Sequence, residues 1–567
     1  MEKGTEVVVS GPDSRSVSTQ PRPQTTTSVP FFIVALLALA VGVFLRCWQL
    51  GDQVLLDDEW HAIHKLLRAD AADIASHLGL ADYSIPLTLY YRFLYLHGGL
   101  TEWGMRLPML LAGIALIPLA PWLLRRQATA ATLGAWSLLL AISPFMIYHS
   151  RTARPYALTT LLVFVAVMAF WKSWQREGSR GGWAAVYVVS AFLAGWLHLI
   201  TLPFTLLPFI FFGIVALRVR DWRGIGRLLV LGIALALPLA LALLPALRND
   251  WGALAGKSGS DSLTLDALYR AFLLGVGTAN PIAFVVLAVL GMIGAVICWR
   301  RDAGFVAYVA TIVLGAGAAI ALAHPAWIQH PGTYARYLQP AIPFLLLFVA
   351  QGFAALIARL AEPLQALGAL AAAAALVAAG PLPEESYNPN QFMGHPYFQF
   401  DYDAAHNLYR TQLPDGPIPE FYRRLAAQPA RSLVLIEAPW SLETNHDPQP
   451  LYQRVHRQWV RIGLTSPLCG ARDYGDYAPA DTGMRLSHFV HLDALLQGDT
   501  ADADFLVMHL HPWPPTLPPA PQWPDVATCV PQLEQRLGAP AYRDEEVEVF
   551  ALSAAGRRAL VGQETLR

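Results

Sequence analysis

The chain has 567 residues, of which 55% are hydrophobic and 14% are charged, and its mean hydropathy is +0.39. This balance excludes a disordered chain and an ordinary soluble enzyme, and it indicates a polytopic membrane protein. The net charge of −1 conceals two regions: basic residues exceed acidic ones by eight up to residue 381, and acidic residues exceed basic ones by nine after it. No run of like charge indicates a nucleic-acid partner.

The first 29 residues are rich in Ser, Thr, Pro and Gln, and they predict a disordered tail. An apolar segment at 30–50 follows, which is long enough to cross a bilayer and carries no small-residue processing site. Ten further spans, which make eleven in all, are predicted at 105–124, 128–148, 155–171, 183–200, 202–217, 228–247, 281–299, 303–323, 338–358 and 364–380. The sequence therefore predicts a transmembrane domain over 30–381.

The loops between the predicted spans differ in charge. Lys and Arg are several-fold denser on one side, which the positive-inside rule assigns to the cytoplasm together with the N-terminus. An odd number of spans then places residues 382–567 on the outer side, periplasmic or extracellular, of a plasma membrane of the bacterial inner-membrane type. The loop at 51–104, called the first loop below, is predicted to lie on that outer side too.

The C-terminal region 382–567 is long enough for one folded domain. Helix-like segments such as 530–537 separate some of its β-like runs, and this order predicts an extracytoplasmic α/β domain. The β-like runs lie at 432–436, 459–463, 488–491, 505–510 and 547–552. Cys469 and Cys529 both fall in this domain, so a disulfide and two free buried thiols are both open. No cysteine spacing indicates structural zinc.

The first loop holds eight of the 18 acidic residues of the membrane region. Asp57, Asp58 and Glu59 are adjacent, and Asp82 opens a later aromatic segment. Three adjacent carboxylates at a membrane surface repel one another, so they need nearby cations, a metal ion, or a proton-transfer role. A solvated loop cluster is the alternative. Helical spacing of apolar residues after Glu59 predicts a helix lying on the membrane surface. The segment from Asp82 is short and aromatic for a span, and it is interpreted as a second surface helix.

Arginines mark the outer ends of later spans. Arg151 and Arg154 lie in a tight turn just before Tyr156, and Arg336 opens a late span. An arginine partly inside the bilayer is costly and usually has an anionic partner, and its forked donors suit a phosphate. The alternatives are contact with lipid headgroups or with the acids of the first loop. His198, near the outer end of its span, is interpreted as a packed histidine rather than a ligand.

Carboxylates and arginines at one membrane boundary suit the transfer of a sugar from a lipid-linked phosphate. A base deprotonates the acceptor hydroxyl, and cations stabilise the departing phosphate. A glycosidase would instead need a second carboxylic acid to protonate its leaving group.

Short motifs in this order resemble those of the polytopic GT-C glycosyltransferases, the class of the protein O-mannosyltransferases and the aminoarabinose transferase of lipid A. The motifs are Asp58-Glu59, Ser84-Ile85-Pro86-Leu87, Trp103-Gly104-Met105-Arg106-Leu107-Pro108, Ser150-Arg151-Thr152-Ala153-Arg154-Pro155-Tyr156-Ala157 and Arg336-Tyr337-Leu338-Gln339-Pro340. They cover residues 30–350, and they leave the C-terminal domain without a matching motif.

The resemblance implies a GT-C-like fold and an inverting transferase that uses a polyprenyl-phosphate sugar. It implies that Asp58 is the general base, although the adjacent Asp57 leaves the choice of aspartate open. Glu59 or Asp82 would orient the acceptor or help bind a metal, and a divalent metal stays an open alternative because relatives differ in using one. The phosphate site it implies consists of Arg151, Arg154, Tyr156 and Arg336.

The sequence leaves the acceptor open among a lipid, a glycan and a protein. A transporter or flippase of an anionic sugar-phosphate lipid is the main alternative function. The concentration of acids in a loop, with mostly apolar spans, favours surface chemistry over passage through the membrane. A membrane scaffold that binds its ligand through the C-terminal domain is the third hypothesis.

Overall fold

A computed structural model describes residues 28–48, 50–51, 55, 59, 62–63, 66, 69–79, 83–97, 99–175, 180–257, 262–278, 280–326, 328–329, 331–380, 382, 418–439, 449–465, 468–469, 489–500, 502–511 and 526–561. Most of the predicted N-terminal tail lies outside these residues.

The membrane domain is helical throughout its described part. Its helices are α1 Val29–Cys47, α2 Ala71–Ser76, α3 Ile85–His97, α4 Glu102–Leu124, α5 Ala130–Ile142, α6 Pro144–Ser150, α7 Tyr156–Gln175, α8 Arg180–Leu197, α9 Leu202–Arg218, α10 Trp222–Lys257, α11 Leu265–Val276, α12 Pro281–Arg301, α13 Ala303–Leu322, α14 Pro331–Leu338, α15 Ile342–Ile357 and α16 Glu362–Ala378. Several begin where the sequence offers a start signal, such as the Asn280 cap and Pro281 that open α12.

Eight helical segments in the described residues are long and apolar enough to cross a membrane, and the bent pair α5 and α6 makes a ninth if it forms one span. The other two predicted spans correspond to the shorter apolar helices α8 and α16. Of the predicted surface helices, the second is α3, and the described part of the first includes α2. The prediction of a polytopic helical membrane protein is confirmed.

Helices α12 and α15 approach each other closely at two glycines. A Cβ atom at Gly294 would collide with the carbonyl of Phe348, and one at Gly352 would collide with the carbonyl of Leu290. Small residues at such a crossing let two helix backbones pack directly, which is a main source of helix association in membranes.

The C-terminal domain is an α/β domain built on a six-stranded sheet. Its elements are α17 Glu420–Leu425, β1 Val434–Ala438, α18 Gln449–His456, β2 Trp459–Leu464, β3 Phe489–His491, α19 Leu492–Leu496, β4 Phe505–His509, α20 Val530–Leu537, β5 Tyr542–Arg543, β6 Val547–Ala551 and α21 Ala554–Val561. The strand order is β3-β2-β1-β4-β6-β5. The β1 strand pairs in parallel with β2 and β4, while β6 is antiparallel to β4 and β5.

All five predicted β-like runs contain a strand, and β5 adds a short strand that the sequence did not indicate. Buried side chains cover both faces of the sheet, with Leu435 and Phe505 on one and Ile436 and Leu506 on the other. The α/β fold of this domain is thus confirmed, while the predicted domain boundaries stay predictions.

Cys469 and Cys529 form a disulfide that closes a separation of 60 residues. It joins the end of β2 to the start of α20, on the face of the sheet that carries Ile436. Of the other two cysteines, Cys47 and Cys298, neither is bonded.

The C-terminal domain and the first loop share one apolar core. Val460, Ile462 and Leu464 of β2 are buried in the same cluster as Ile63 and Leu66 of the first loop. The sheet therefore packs directly against the loop that carries the acidic residues.

The end of α10 holds the first loop from another side. The backbone leaves helical geometry at Asp250, whose carboxylate accepts a hydrogen bond of 2.7 Å from the Gly79 backbone. The neighbouring Asn249 donates to the carbonyl of Ser76, at the end of α2.

Candidate functional site

The candidate site forms where a broken helix ends. The axes of α5 and α6 differ by 57° at Ser143–Pro144. Pro144 has no N–H, so it cannot bond the Leu140 carbonyl four residues before it. Arg46, fully buried near the end of α1, donates to the carbonyls of Leu140 and Ala141 at 3.0 and 2.9 Å. Its guanidinium thus satisfies backbone groups at the break and fixes the direction of α6.

Glu59 connects the first loop to the turn that follows α6. Its buried carboxylate accepts two hydrogen bonds from Arg106 of α4, at 2.9 and 2.8 Å, and a third of 2.7 Å from the backbone N–H of Ala153. Arg106 is also buried and donates a further bond to the carbonyl of Leu50. The forked pair neutralises both charges inside the protein.

These contacts give Glu59 a structural position. In the sequence, Asp58 directly precedes Glu59, and Arg154 directly follows Ala153, the residue that Glu59 bonds. Because Glu59 bonds Arg106 and Ala153 in this way, it holds the loop in place, and a role in orienting the acceptor or binding metal stays a prediction.

Arg151 contacts the end of α1. Its Nη1 donates to the carbonyls of Leu45 and Arg46, both at 3.1 Å. A cation at the C-terminus of a helix also interacts favourably with the helix dipole. The structure thus places Arg151 beside α1, while its predicted phosphate contact stays untested.

The other three predicted phosphate-site residues converge with two that the sequence did not assign. The Cζ atom of Arg336 lies 5.4 Å from the ring centre of Tyr156 and 5.5 Å from that of Tyr337. The His198 ring centre lies 5.8 Å from Tyr156 and 6.0 Å from Tyr337. The charges of Arg154 and Arg336 both act on His198. We call these five residues the arginine–aromatic cluster.

His149 packs behind the cluster. This buried ring lies 5.1 Å from Tyr156 and 4.6 Å from Phe145, measured between ring centres. It therefore connects the position of Tyr156 to the fold of α6.

An apolar cavity of about 500 Å³ lies one short helix away from the cluster. Its lining includes Pro144 at the start of α6 and Ile342 at the start of α15. From Pro144, α6 leads to His149, and from Ile342 the chain leads back to Arg336, so two segments connect the cavity to the cluster. Apart from Ser143, every residue that lines the cavity is apolar or glycine.

The described residues contain no group of three His, Cys, Asp or Glu side chains that could hold a metal ion. Asp57, Asp58 and Asp82, the other carboxylates of interest, lie outside the described residues. The metal requirement therefore stays open.

Sequence reasoning missed Arg46 and Arg106. Arg106 was part of a motif but was assigned no role, and Arg46 was not singled out at all. The signal that could have found them is an arginine within or at the end of an apolar span, because such a charge needs partners.

A second polar cluster lies inside the C-terminal domain. Tyr422 and His509 both bond the same carboxylate oxygen of Glu437, Oε2, at 2.7 Å. Burial, with the Glu437 charge, holds the pKa of Tyr422 well above its usual value. His456 stacks on Tyr422 with ring centres 5.3 Å apart, and burial lowers its pKa to about 3.

No family model matches the chain, and no curated protein matches its sequence. Among solved structures, it is similar to ArnT from Cupriavidus metallidurans in the apo state, at 16% identity and a TM-score of 0.45, covering 93% of this chain and 98% of that one. The same protein bound to undecaprenyl phosphate gives 14% identity, a TM-score of 0.46 and equal coverage. The oligosaccharyltransferase of Archaeoglobus fulgidus in the apo form gives 12% and 0.41, covering 85% of this chain and 69% of that one. These structures are of the class that the sequence motifs resemble, the GT-C glycosyltransferases.

Proposed function

We propose that this chain is a membrane glycosyltransferase that moves a sugar from a polyprenyl-phosphate donor to an acceptor hydroxyl at the outer face of the membrane. One observation carries the proposal: the Glu59 carboxylate accepts a hydrogen bond from Ala153. That bond ties the neighbour of Asp58 to the neighbour of Arg154. The first loop, at Glu59, therefore contacts the turn that carries Arg154, although the two segments are distant in the sequence.

In the proposed reaction, Asp58 accepts the proton of the acceptor hydroxyl as its oxygen attacks the anomeric carbon. The bond from that carbon to the phosphate oxygen breaks, and the phosphate departs with the electron pair. Attack from the face opposite the phosphate inverts the anomeric carbon. Arg154 and Arg336 stabilise the negative charge that grows on the phosphate, which is the interaction that lowers the barrier.

The apolar cavity supports a lipid donor. Its lining offers almost no hydrogen-bonding group, and it lies one short helix from the arginine–aromatic cluster. A polyprenyl chain in this cavity would place its terminal phosphate toward Arg336 and Tyr156. The acceptor class remains a lipid, a glycan or a protein.

The first test is sugar transfer by membranes that contain the wild type, Asp58→Asn or Asp57→Asn. The donors are labelled polyprenyl-phosphate sugars, and all products are identified by mass. Removing a general base typically costs 10² to 10⁴ in rate, so we expect Asp58→Asn to lose about that factor. Asp57→Asn, which makes the same chemical change one residue away, should retain activity within about tenfold.

A reversed pattern would assign the base to Asp57. Transfer by Asp58→Asn at the wild-type rate, with Asp57→Asn also active, would remove the base role from both residues. The transporter hypothesis predicts a different result: the protein would move a labelled sugar-phosphate lipid across proteoliposomes, and Asp58→Asn would leave that movement unchanged.

A further inference from the structure

His198 packs against the same two tyrosine rings as Arg336. Both side chains contact Tyr156 and Tyr337, and the charge of Arg154 reaches His198 as well. The residue is partly exposed, in contrast to the fully buried His456. It therefore combines partial exposure with the nearby charges of two arginines.

The local backbone determines where the imidazole proton lies. His198 caps the short 3₁₀ turn Leu199–Thr201, and its Nδ1 accepts a hydrogen bond from the Ile200 backbone N–H at 3.3 Å. An accepting Nδ1 carries no proton, so in this arrangement the proton of the ring is on Nε2. A positively charged ring is disfavoured, because it would need a proton on Nδ1 and would be repelled by two arginines.

The Nε2–H group makes no hydrogen bond with any residue that the structure describes. His198 makes its hydrogen bonds there through Nδ1 and its backbone, and none through Nε2. A directed neutral donor near two cations is suited to an oxygen of a phosphate, which accepts several hydrogen bonds at once.

We propose that His198 donates its Nε2–H to the phosphate of the lipid donor, beside Arg154 and Arg336. This inference rests on the proposed function. A neutral donor adds a directed bond to the phosphate without adding a third positive charge that would hold the phosphate product too tightly. His198 is then a donor-binding residue, and its loss should affect binding of the donor more than the chemical step.

Two substitutions separate this role from a structural one. In His198→Asn, the amide oxygen can replace Nδ1 as the acceptor for Ile200, but no donor reaches the position of Nε2. In His198→Gln, the amide nitrogen can replace Nε2 as a donor, but the cap is lost. A structural role therefore predicts that Gln is the damaging change, and a phosphate contact predicts that Asn is.

The measurements are KM and kcat with the polyprenyl-phosphate sugar, and direct binding of undecaprenyl phosphate and of undecaprenol, which lacks the phosphate. A hydrogen bond to a charged group is worth about tenfold or more in binding. We expect His198→Asn to raise KM and weaken undecaprenyl phosphate binding by about tenfold, with kcat and undecaprenol binding changed less than about threefold. His198→Gln should stay within about threefold of the wild type.

An Asn variant that matches the wild type, or a Gln variant that is the weaker of the two, would overturn the phosphate contact. Equal loss of undecaprenyl phosphate and undecaprenol binding would also overturn it, because the effect would then concern the lipid chain. If the wild type itself transfers no sugar and binds both lipids equally, the proposed function fails, independently of the result for His198.

Discussion

Two histidines, one in the membrane domain and one in the C-terminal domain, share a local structure and differ in everything around it. His198 and His456 each accept a hydrogen bond at Nδ1 from the backbone N–H two residues later, Ile200 and Gln458. His198 is a partly exposed residue on which the charges of two arginines act, whereas His456 is fully buried against Tyr422. In both histidines, the local hydrogen bond to Nδ1 leaves the ring proton on Nε2. The tertiary surroundings then decide whether that N–H group is accessible to a ligand.

The buried carboxylates of the two regions differ in a parallel way. Glu59 is paired with Arg106, which stays charged at every relevant pH. Glu437 is paired with His509 and Tyr422, and both partners can be neutral. The membrane domain therefore pairs its buried carboxylate with a permanent cation, and the C-terminal domain pairs its buried carboxylate with an imidazole and a phenol.

The largest expected effect follows from this difference. Glu59→Gln leaves the Arg106 charge buried without its carboxylate, and breaking such a pair costs about 3–5 kcal/mol. Glu437→Gln keeps a hydrogen-bonding side chain beside Tyr422 and His509 and leaves no guanidinium without its carboxylate, so we expect about 1–2 kcal/mol. Thermal unfolding of the two full-length variants in detergent would measure the contrast, and Glu59→Gln should also abolish sugar transfer.

Asp266→Asn is the matched control for Glu59→Gln. It removes a carboxylate that pairs with Arg270 at 2.9 Å on the exposed surface of α11. An exposed pair four residues apart on a helix contributes only about 0.3–0.5 kcal/mol. Equal losses for Glu59→Gln and Asp266→Asn would contradict the argument that burial makes the Glu59 pair important.

The disulfide is expected to have the next largest effect, and one confined to the C-terminal domain. Closing a loop of 60 residues stabilises a domain by about 2–4 kcal/mol. We expect the double change Cys469→Ser and Cys529→Ser to speed hydrogen exchange in β4 and α20 while leaving α5 and α7 unchanged. Cys47→Ser, at an unbonded cysteine in α1, is the control. Faster exchange throughout the membrane helices would show that the two domains unfold as one unit.

The smallest expected effect is an acid sensitivity caused by His456. Burial lowers its folded-state pKa to about 3, whereas an unfolded histidine titrates near 6.5. Below about pH 6.5 the unfolded state therefore binds a proton that the folded state excludes, and stability falls until about pH 3. Between pH 7 and 5 the loss is about 2 kcal/mol.

His456→Asn tests this sensitivity, because the amide oxygen can still accept the Gln458 N–H while the titrating ring is gone. Hydrogen exchange of β1 and β2, compared at pH 7 and 5 after correction for intrinsic rates, should lose its acid dependence in this variant. The control is His491→Asn, which removes a partly exposed histidine and should leave the acid dependence unchanged. An unchanged acid dependence in His456→Asn would assign the sensitivity to other groups.

Much of the fold was predictable because it follows from local patterns. Long apolar runs predicted the spanning helices, and five short β-like runs predicted β1, β2, β3, β4 and β6. The strand β5 was missed because its two residues, Tyr542 and Arg543, are too few to show an alternating pattern.

The site was predictable only in part. Of the residues assigned to the phosphate site, Arg336 and Tyr156 lie in contact, and the charges of Arg154 and Arg336 both act on His198. Their phosphate role stays a prediction. The partners of Glu59 could not be derived, because Arg106 and Ala153 reach it only through the packing of three separate elements. The sequence also could not show that Arg151 bonds the carbonyls at the end of α1, and its predicted phosphate contact stays a prediction.

The core that β2 shares with the first loop has a consequence for the order in which the protein matures. The first loop is synthesised early, but Ile63 and Leu66 lack part of their apolar neighbours until Val460 and Ile462 have been made and have folded onto them. Because a chain folds from its N-terminus during synthesis, the apolar core around the first loop stays incomplete while the remaining spans insert. The described core of the first loop is therefore complete only after the C-terminal domain has been made, so the loop of a nascent chain would lack part of its packing during insertion.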